Sequence, residues 1–199
     1  MLKIAIGVAS QGTIHTKTAF SIIETVRLNK DIEFLPIFRY GGYIAENKAK
    51  IVETAQNCLC SHVFFVDHDM VFKPHVLAKL LSYDKDIVGA MYNYRYLPRE
   101  PMLKYLKEDG DWTAKLEESV IKKIPDELFK VGATGGGMLL VKMSVFDKLK
   151  RPYFPMEQDG EGNRVVTEDS AFYLKAQKLG IKVWVDPTLD ILHEGFYEF

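Results

Sequence analysis

Apolar and polar positions along this chain change their period several times, and each change marks an element. Lys3 to Ala9 alternates and then runs apolar, which predicts a first strand, with Ser10 to Thr13 as the loop after it. Thr18 to Leu28 carries Ala19, Ile22, Ile23 and Val26 at helical spacing. Glu33 to Phe38 reads as a second strand, closed by Tyr40-Gly41-Gly42. Ile44 to Cys58 reads as a helix with Ile44, Lys48, Ile51, Ala55 and Cys58 along one side. The unbroken run Val63-Phe64-Phe65-Val66 predicts a strand covered on both faces. Pro74 stands near a helix start, ahead of the apolar positions Val76, Leu77, Leu80 and Leu81, and Asp86 to Met91 is a fourth strand. This alternation argues for an α/β fold with a mostly parallel central sheet flanked by helices.

The second half changes character. Tyr92 to Pro101 is aromatic and basic, and Lys104 to Lys130 is charged with weak periodicity. Val131 to Gly137 reads as a glycine-rich turn leading into a strand from Met138 to Val141. Met156 to Val166, with Gly160 and Gly162, has the composition of a loop. Thr167 is placed to N-cap a helix from Glu168 to Leu179, with Phe172, Ala176 and Leu179 inward and Gly180 as its stop. Lys182 to Asp186 is a final strand and Asp190 to Phe199 a tail. No repeat, low-complexity tract or linker interrupts the chain, so residues 1–199 are expected to form a single domain.

Composition narrows the function classes. The chain is 47% hydrophobic and 27% charged, ordinary for a soluble globular protein, and 26 basic against 27 acidic side chains leave a net charge of -1. Nothing in that balance favours nucleic acid or an anionic membrane as a partner. No apolar run reaches the roughly 20 residues of a membrane span, and Met1 to Ser10 lacks the apolar core of a signal peptide. Cys58 and Cys60 are the only cysteines, too few for a zinc site, and read as free thiols suited to a reducing compartment. The expected location is the cytoplasm.

Several groups carry candidate chemistry. Asp67-His68-Asp69 follows the buried run directly, so both carboxylates would project from the carboxyl edge of the sheet, where open α/β folds bind ligands. Two acids that close repel each other unless a cation lies between them, although a strand can also end in a solvated Asp turn. Glu168 and Asp169 sit at a predicted helix N-terminus, where acids are ordinary; the alternative is a carboxylate aimed into the crevice as a general base. His193 is either a surface or packing histidine or a metal ligand with a partner elsewhere. Gly135 to Gly137 make a tight turn or admit a close approach. Arg95 and Arg99 suit phosphate, or belong to a packed or solvated loop.

Taken in order, Gly42 to Ala49, Asp67-His68-Asp69, Gly135-Gly136-Gly137-Met138, Glu168-Asp169 and His193-Glu194-Gly195 resemble the GT-A class of nucleotide-sugar glycosyltransferases, in particular its family 2-like bacterial and phage branch. The resemblance implies a GT-A fold, with residues 1–92 as the nucleotide-binding half and 93–199 as the donor-sugar and acceptor half. It implies a metal-dependent transfer of a sugar from a nucleoside-diphosphate sugar to an acceptor hydroxyl, with inversion. Asp69 would be the direct ligand of Mn²⁺ or Mg²⁺, with Asp67 nearer the ribose or reaching the metal through water, and His193 would complete the metal site. Hard oxygen ligands suit both ions, and an imidazole favours Mn²⁺. Asp169 would be the catalytic base. Gly136, Gly137 and Glu168 would face donor sugar or acceptor, and Ser10, Arg39 and Asn47, with Asp67, the nucleoside.

The chain departs from the family at His68, where a small or acidic residue is commoner, and at Ala9-Ser10-Gln11-Gly12-Thr13, which lacks a proline. It ends six residues after His193, leaving little sequence for an acceptor-binding region, so the acceptor (glycan, lipid-linked or protein) is left open. A dinucleotide oxidoreductase would need G-x-G-x-x-G after the first strand, and a P-loop kinase G-K-[ST]; neither is present. A sugar nucleotidyltransferase and a non-catalytic nucleotide- or carbohydrate-binding module are the competing expectations.

Overall fold

In a computed structural model that describes residues 1–104, 124–158 and 164–195, the first half folds as β1 (Leu2–Ser10), α1 (Thr16–Leu28), β2 (Ile32–Tyr40), α2 (Ile44–Asn57), β3 (His62–Val66), β4 (Met70–Phe72), α3 (His75–Ser82) and β5 (Ile87–Ala90). The second half supplies β6 (Leu103–Lys104), β7 (Phe129–Val131), β8 (Ala133–Thr134), β9 (Met138–Lys142), α4 (Met143–Lys148), β10 (Glu157–Gln158), β11 (Arg164–Val166), α5 (Glu168–Lys178), β12 (Val183–Asp186) and β13 (Ile191–His193). Most of the charged stretch expected from Lys104 to Lys130, the loop glycines Gly160 and Gly162 and the end of the tail lie outside the described residues.

The main sheet has seven strands in the order β2-β1-β3-β9-β5-β12-β7. β1 pairs in parallel with β2 and β3, and β5 with β12. β9 runs antiparallel between β3 and β5, and β7 lies antiparallel at the edge beyond β12. The sheet is therefore mixed: a mostly parallel α/β sheet whose centre is occupied by a strand of opposite direction. β9 sits there because Met138 to Val141 are all buried, which demands cover on both faces and neighbours on both sides.

Side chains alternate across the sheet and build two cores. Ala5, Val63, Phe65, Leu139, Val141, Val183 and Val185 face α2, α4 and α5, packing on Ile51, Val145, Phe146 and Phe172. Ile4, Ile6, Val8, Phe64, Val66, Val88 and Leu140 face the opposite way, onto Ile22 of α1 and Val76, Leu77 and Leu80 of α3. Helices on both faces of one sheet make a single domain.

Three expectations are corrected. α1 buries Thr18, Ser21, Ile22 and Thr25 and leaves Phe20, Ile23 and Leu28 exposed, so its inward face is rotated from the apolar one. Small hydroxyl residues permit close packing there: Ser21 Oγ accepts the Phe72 N–H at 3.2 Å, and Thr25 Oγ1 donates to the Ser21 carbonyl at 2.8 Å. Leu179 is exposed because the helix has ended before it turns inward, while Thr167 caps α5 and Gly180 stops it at φ +76°, as expected. The tail contains β13, which pairs antiparallel with β4, with His193 opposite Met70. Three-residue strands carry too little periodicity to be read locally. Both cysteines are free, and Cys60 packs into the core below α2.

α2 and β1 meet closely: a Cβ on Gly7 would lie 2.5 Å from Ile51 Cγ2. Ile51 is fully buried at this contact, so Ile51→Ala is expected to cost about 2–5 kcal/mol, seen as a lower urea midpoint at unchanged m-value. A loss under about 0.5 kcal/mol would mean that the α2–β1 contact is not tightly packed.

Candidate active site at the carboxyl edge of the sheet

The antiparallel course of β9 brings its amino end to the carboxyl end of β3. Val66 pairs with Met138, and the Asp67 N–H donates to the Gly137 carbonyl at 2.9 Å. Gly135-Gly136-Gly137 thus lies beside Asp67. A turn passes through Gly136 and Gly137 ahead of the strand, as expected, but none of the three glycines has a positive φ, so the turn alone does not demand glycine. Close approach does. A Cβ on Gly137 would stand 2.5 Å from Asp67 Oδ2, and one on Gly136 would stand 2.5 Å from Asp169 Oδ1 and 2.7 Å from Lys48 Nζ. One on Gly135 would overlap the Tyr92 hydroxyl. Polar groups from β3, α2, α5 and the segment after β5 all rest on a floor of bare backbone.

Lys48 is the centre of this arrangement, and sequence reading placed it only on the inward side of a helix. Its side chain is 4% exposed, its Nζ is 2.5 Å from Asp169 Oδ1 and 3.6 Å from Glu168 Oε1. Burial alone would push the ammonium pKa down, but the Asp169, Asp67 and Glu168 carboxylates outweigh it and hold the pKa above the ordinary lysine value. Asp169 Oδ2 accepts the Gly136 N–H at 3.1 Å, so this carboxylate is fixed at both oxygens. The available signal was a lysine among Ile44, Ile51 and Ala55: a charge on a buried stripe needs a counter-charge.

Asp67 is differently placed. Its side chain accepts no hydrogen bond among the described residues, and burial pushes its pKa up, with Lys48 pulling the other way and Asp169 and Asp69 adding to the rise. Two buried tyrosines lie close. The Tyr92 hydroxyl accepts the Gly137 N–H at 3.0 Å, and burial with the charges of Asp67 and Asp169 holds it protonated. The Tyr173 hydroxyl has no hydrogen-bond partner among the described residues and feels the same two carboxylates.

The pairing of β13 with β4 brings His193 to Asp69, and Glu194 N–H donates to the Asp69 carbonyl at 2.8 Å. Asp69 is 2% exposed, with Oδ1 3.4 Å from His193 Nε2 and Oδ2 2.7 Å from an Arg95 nitrogen. Burial alone would raise its pKa, but His193, His68 and Arg95 bring it below the ordinary carboxylate value. His193 Nδ1 lies 2.9 Å from the Asn93 carbonyl, an acceptor that cannot donate, so the proton sits on Nδ1. Nε2 is then the ring nitrogen that faces Asp69 Oδ1, and the pair is satisfied by a proton on Nε2 or by a cation between the two atoms. No group of three or more His, Cys, Asp or Glu side chains is arranged as a metal cage among the described residues. The Asp69–His193 pair fits a cation that completes its shell with phosphate oxygens and water.

The remaining expected residues lie at the same edge with local partners. Ser10 Oγ, at the end of β1, accepts the Gly12 N–H at 3.2 Å, and Asn47 Nδ2 donates to the Gly41 carbonyl at 2.6 Å. Arg39, on the edge strand β2, reaches Thr54 Oγ1 at 3.5 Å and is not joined to the acidic cluster. His68 stacks edge-to-face on His15 at 5.5 Å, and its carbonyl accepts the His15 N–H at 2.8 Å. His15 Nδ1 in turn donates to Glu194 Oε2 at 3.0 Å. Two cavities open here. One of about 460 Å³ is lined by Arg95, Lys104, Gly135, Glu168 and Asp169, the other of about 430 Å³ by His15, Arg95, Glu194 and Gly195.

No family model matches the chain, and no curated protein matches it. Among solved structures, A197 from STIV is similar with a TM-score of 0.63 at 20% identity, over 98% of this chain and 86% of that one. That likeness concerns the fold alone. A protein described as a glucose-1-phosphate thymidylyltransferase from Bacillus anthracis, in complex with a sucrose, reaches a TM-score of 0.48 at 11% identity, over 97% of this chain and 89% of that one. So low a TM-score carries no argument.

Removing the buried ammonium leaves three acids uncompensated, so Lys48→Met is expected to cost about 3–5 kcal/mol in urea denaturation at pH 7. A variant as stable as the parent would show that Lys48 does not neutralise the cluster. Asp67 has the opposite sign. Its folded pKa lies above the unfolded one, so it weakens the fold wherever it is ionised in both states. That penalty shrinks as pH falls through the folded pKa and vanishes below the unfolded value of about 3.9. Asp67→Asn should therefore raise the urea midpoint at pH 7, with the gain gone by about pH 3. A lower midpoint at pH 7 contradicts this reading of Asp67.

Proposed function

We propose that this chain is a metal-dependent glycosyltransferase of the GT-A class, moving a sugar from a nucleoside-diphosphate sugar to an acceptor hydroxyl with inversion. One observation carries the reading: Asp67 and the Lys48-held Asp169 rest on one glycine floor, and Tyr92, on the same floor, packs edge-to-face on the His193 that meets Asp69, all at the sheet edge where α/β folds take ligands. An oxygen- and imidazole-binding cation such as Mn²⁺ or Mg²⁺ would be held by Asp69 and His193, with Asp67 at its side. When bound, it would supply charge neutralisation for the departing diphosphate.

The chain's own residues account for the rest of the chemistry. Asp169 takes the proton of the acceptor hydroxyl while that oxygen forms its bond to the anomeric carbon. The bond from that carbon to the phosphate oxygen breaks, and its electron pair leaves on the nucleoside diphosphate. Lys48 fixes Asp169 Oδ1 and the Gly136 N–H fixes Oδ2, so the base is oriented before the acceptor arrives. Gly136 and Gly137 are covered by Asp169, Lys48 and Asp67, so room for the donor sugar lies instead in the cavity lined by Lys104, Gly135, Glu168 and Asp169, with Glu168 in reach of its hydroxyls or of the acceptor. Ser10, Asn47 and the end of β2 flank the nucleoside.

A thermal-shift panel of nucleoside-diphosphate sugars, with and without Mn²⁺, tests this. One donor should raise the melting temperature only with the metal present, by about 2.7 kcal/mol of added stability at a hundredfold excess over its Kd. With that donor, Asp169→Asn should lower kcat of sugar transfer or donor hydrolysis by about 10²–10⁴ and leave the thermal shift intact. A panel with no shift, or an Asp169→Asn variant with full turnover, overturns the proposal.

A further inference from the structure

Asp69 is almost wholly buried, yet the cation nearest to it comes from a half-exposed side chain. Arg95 is 51% exposed and reaches Asp69 Oδ2 at 2.7 Å. We propose that Arg95 is the stand-in counter-ion of Asp69, neutralising the carboxylate from Oδ2 when the site is free and passing to the diphosphate when metal and nucleotide bind. The inference rests on the metal–diphosphate reading of this site and adds an exchange of partners to it.

Three observations support the exchange. First, Asp69 leaves no oxygen open: His193 faces Oδ1, while Oδ2 is shared between Arg95 and, at 3.9 Å, His68. A divalent cation set between His193 Nε2 and Oδ1 would share the carboxylate with the guanidinium on Oδ2, and repulsion between the two cations weakens both contacts. Second, Arg95 stands on a loop closed tightly at its base, where Met102 N–H donates to the Tyr92 carbonyl and Tyr94 N–H to that of Glu100, at 2.8 and 2.9 Å. The backbone is therefore held while the long, exposed side chain is able to turn. The same loop supplies the Asn93 carbonyl that sets the His193 tautomer, so both partners of Asp69 are governed from one element. Third, Arg95 lines both cavities of the site, so its side chain has open space on either side of Asp69. A guanidinium matches phosphate oxygens as well as it matches a carboxylate, so it loses no pairing by moving.

The exchange sets an order of binding. Mn²⁺ alone has to displace Arg95 with nothing for the arginine to gain, whereas Mn²⁺ with a diphosphate offers the guanidinium a new partner. The test measures binding, with free Mn²⁺ followed by electron paramagnetic resonance and inorganic pyrophosphate as the diphosphate probe. Arg95→Ala and Arg95→Gln, the latter leaving an amide beside Asp69 should the former not fold, are compared with the parent protein. If Asp69 is released in about one molecule in ten, either variant should bind Mn²⁺ alone about tenfold more tightly. The same variants should bind Mn²⁺-pyrophosphate about ten- to a hundredfold more weakly, having lost charge-assisted hydrogen bonds. Asp69→Asn should lose Mn²⁺ in both arms.

An unchanged or weaker affinity for Mn²⁺ alone in the folded variants overturns the exchange, and so does undiminished binding of Mn²⁺-pyrophosphate. A parent protein that binds Mn²⁺ neither alone nor with pyrophosphate is a different result. It removes the metal site itself, and the exchange with it.

Discussion

Unlike charges buried at the carboxyl edge of the sheet are the constraint on which this architecture turns. The buried Asp69 and the half-buried Asp67, Glu168 and Asp169 collect there from β3's end and the start of α5, and carboxylates so crowded call for counter-charges. Lys48 answers three of them from within the apolar face of α2. Arg95 and His193 answer the fourth. Each of these partners comes from a different element, so the site closes only when α2, the loop after β5 and β13 are all docked.

The strand in the middle makes this possible. Had β9 run parallel to β3, its glycine-rich start would lie at the opposite edge of the sheet. Antiparallel pairing turns Gly135 to Gly137 toward Asp67 and lets four side-chain groups rest against backbone. It also interleaves the two halves of the chain, since a strand from the second half separates β3 from β5. The short β4–β13 pair works in the same way at smaller scale, carrying His193 from far along the chain to Asp69.

Much of the fold was legible because burial imposes local patterns. The run Val63 to Val66, the spacing of Ile44, Ile51 and Ala55, the Thr167 cap and the Gly180 stop each follow from rules acting within a few residues. α1 escaped that logic because its inward face is built from Thr18, Ser21 and Thr25, of which Ser21 and Thr25 bond backbone while the Thr18 hydroxyl is buried without a partner among the described residues. A hydrophobicity pattern cannot register a buried face made of small polar residues. Lys48 was visible as a misfit on an apolar stripe, although its role required knowing which acids lay opposite.

The sequence by itself determined the alternation of strands and helices, the position of Asp67 and Asp69 at a strand end, and the helix start at Glu168-Asp169. These depend on neighbours in the chain, where spacing is set by covalent geometry. Only the tertiary structure decided that β9 enters the sheet reversed, that close approach of side chains demands the three glycines, and that His193 meets Asp69. It alone tied Asp169 to Lys48 and Asp69 to Arg95. Such pairings join residues far apart in the chain, and what selects them is the cost of leaving a buried charge or backbone group without a partner, a cost no local pattern records.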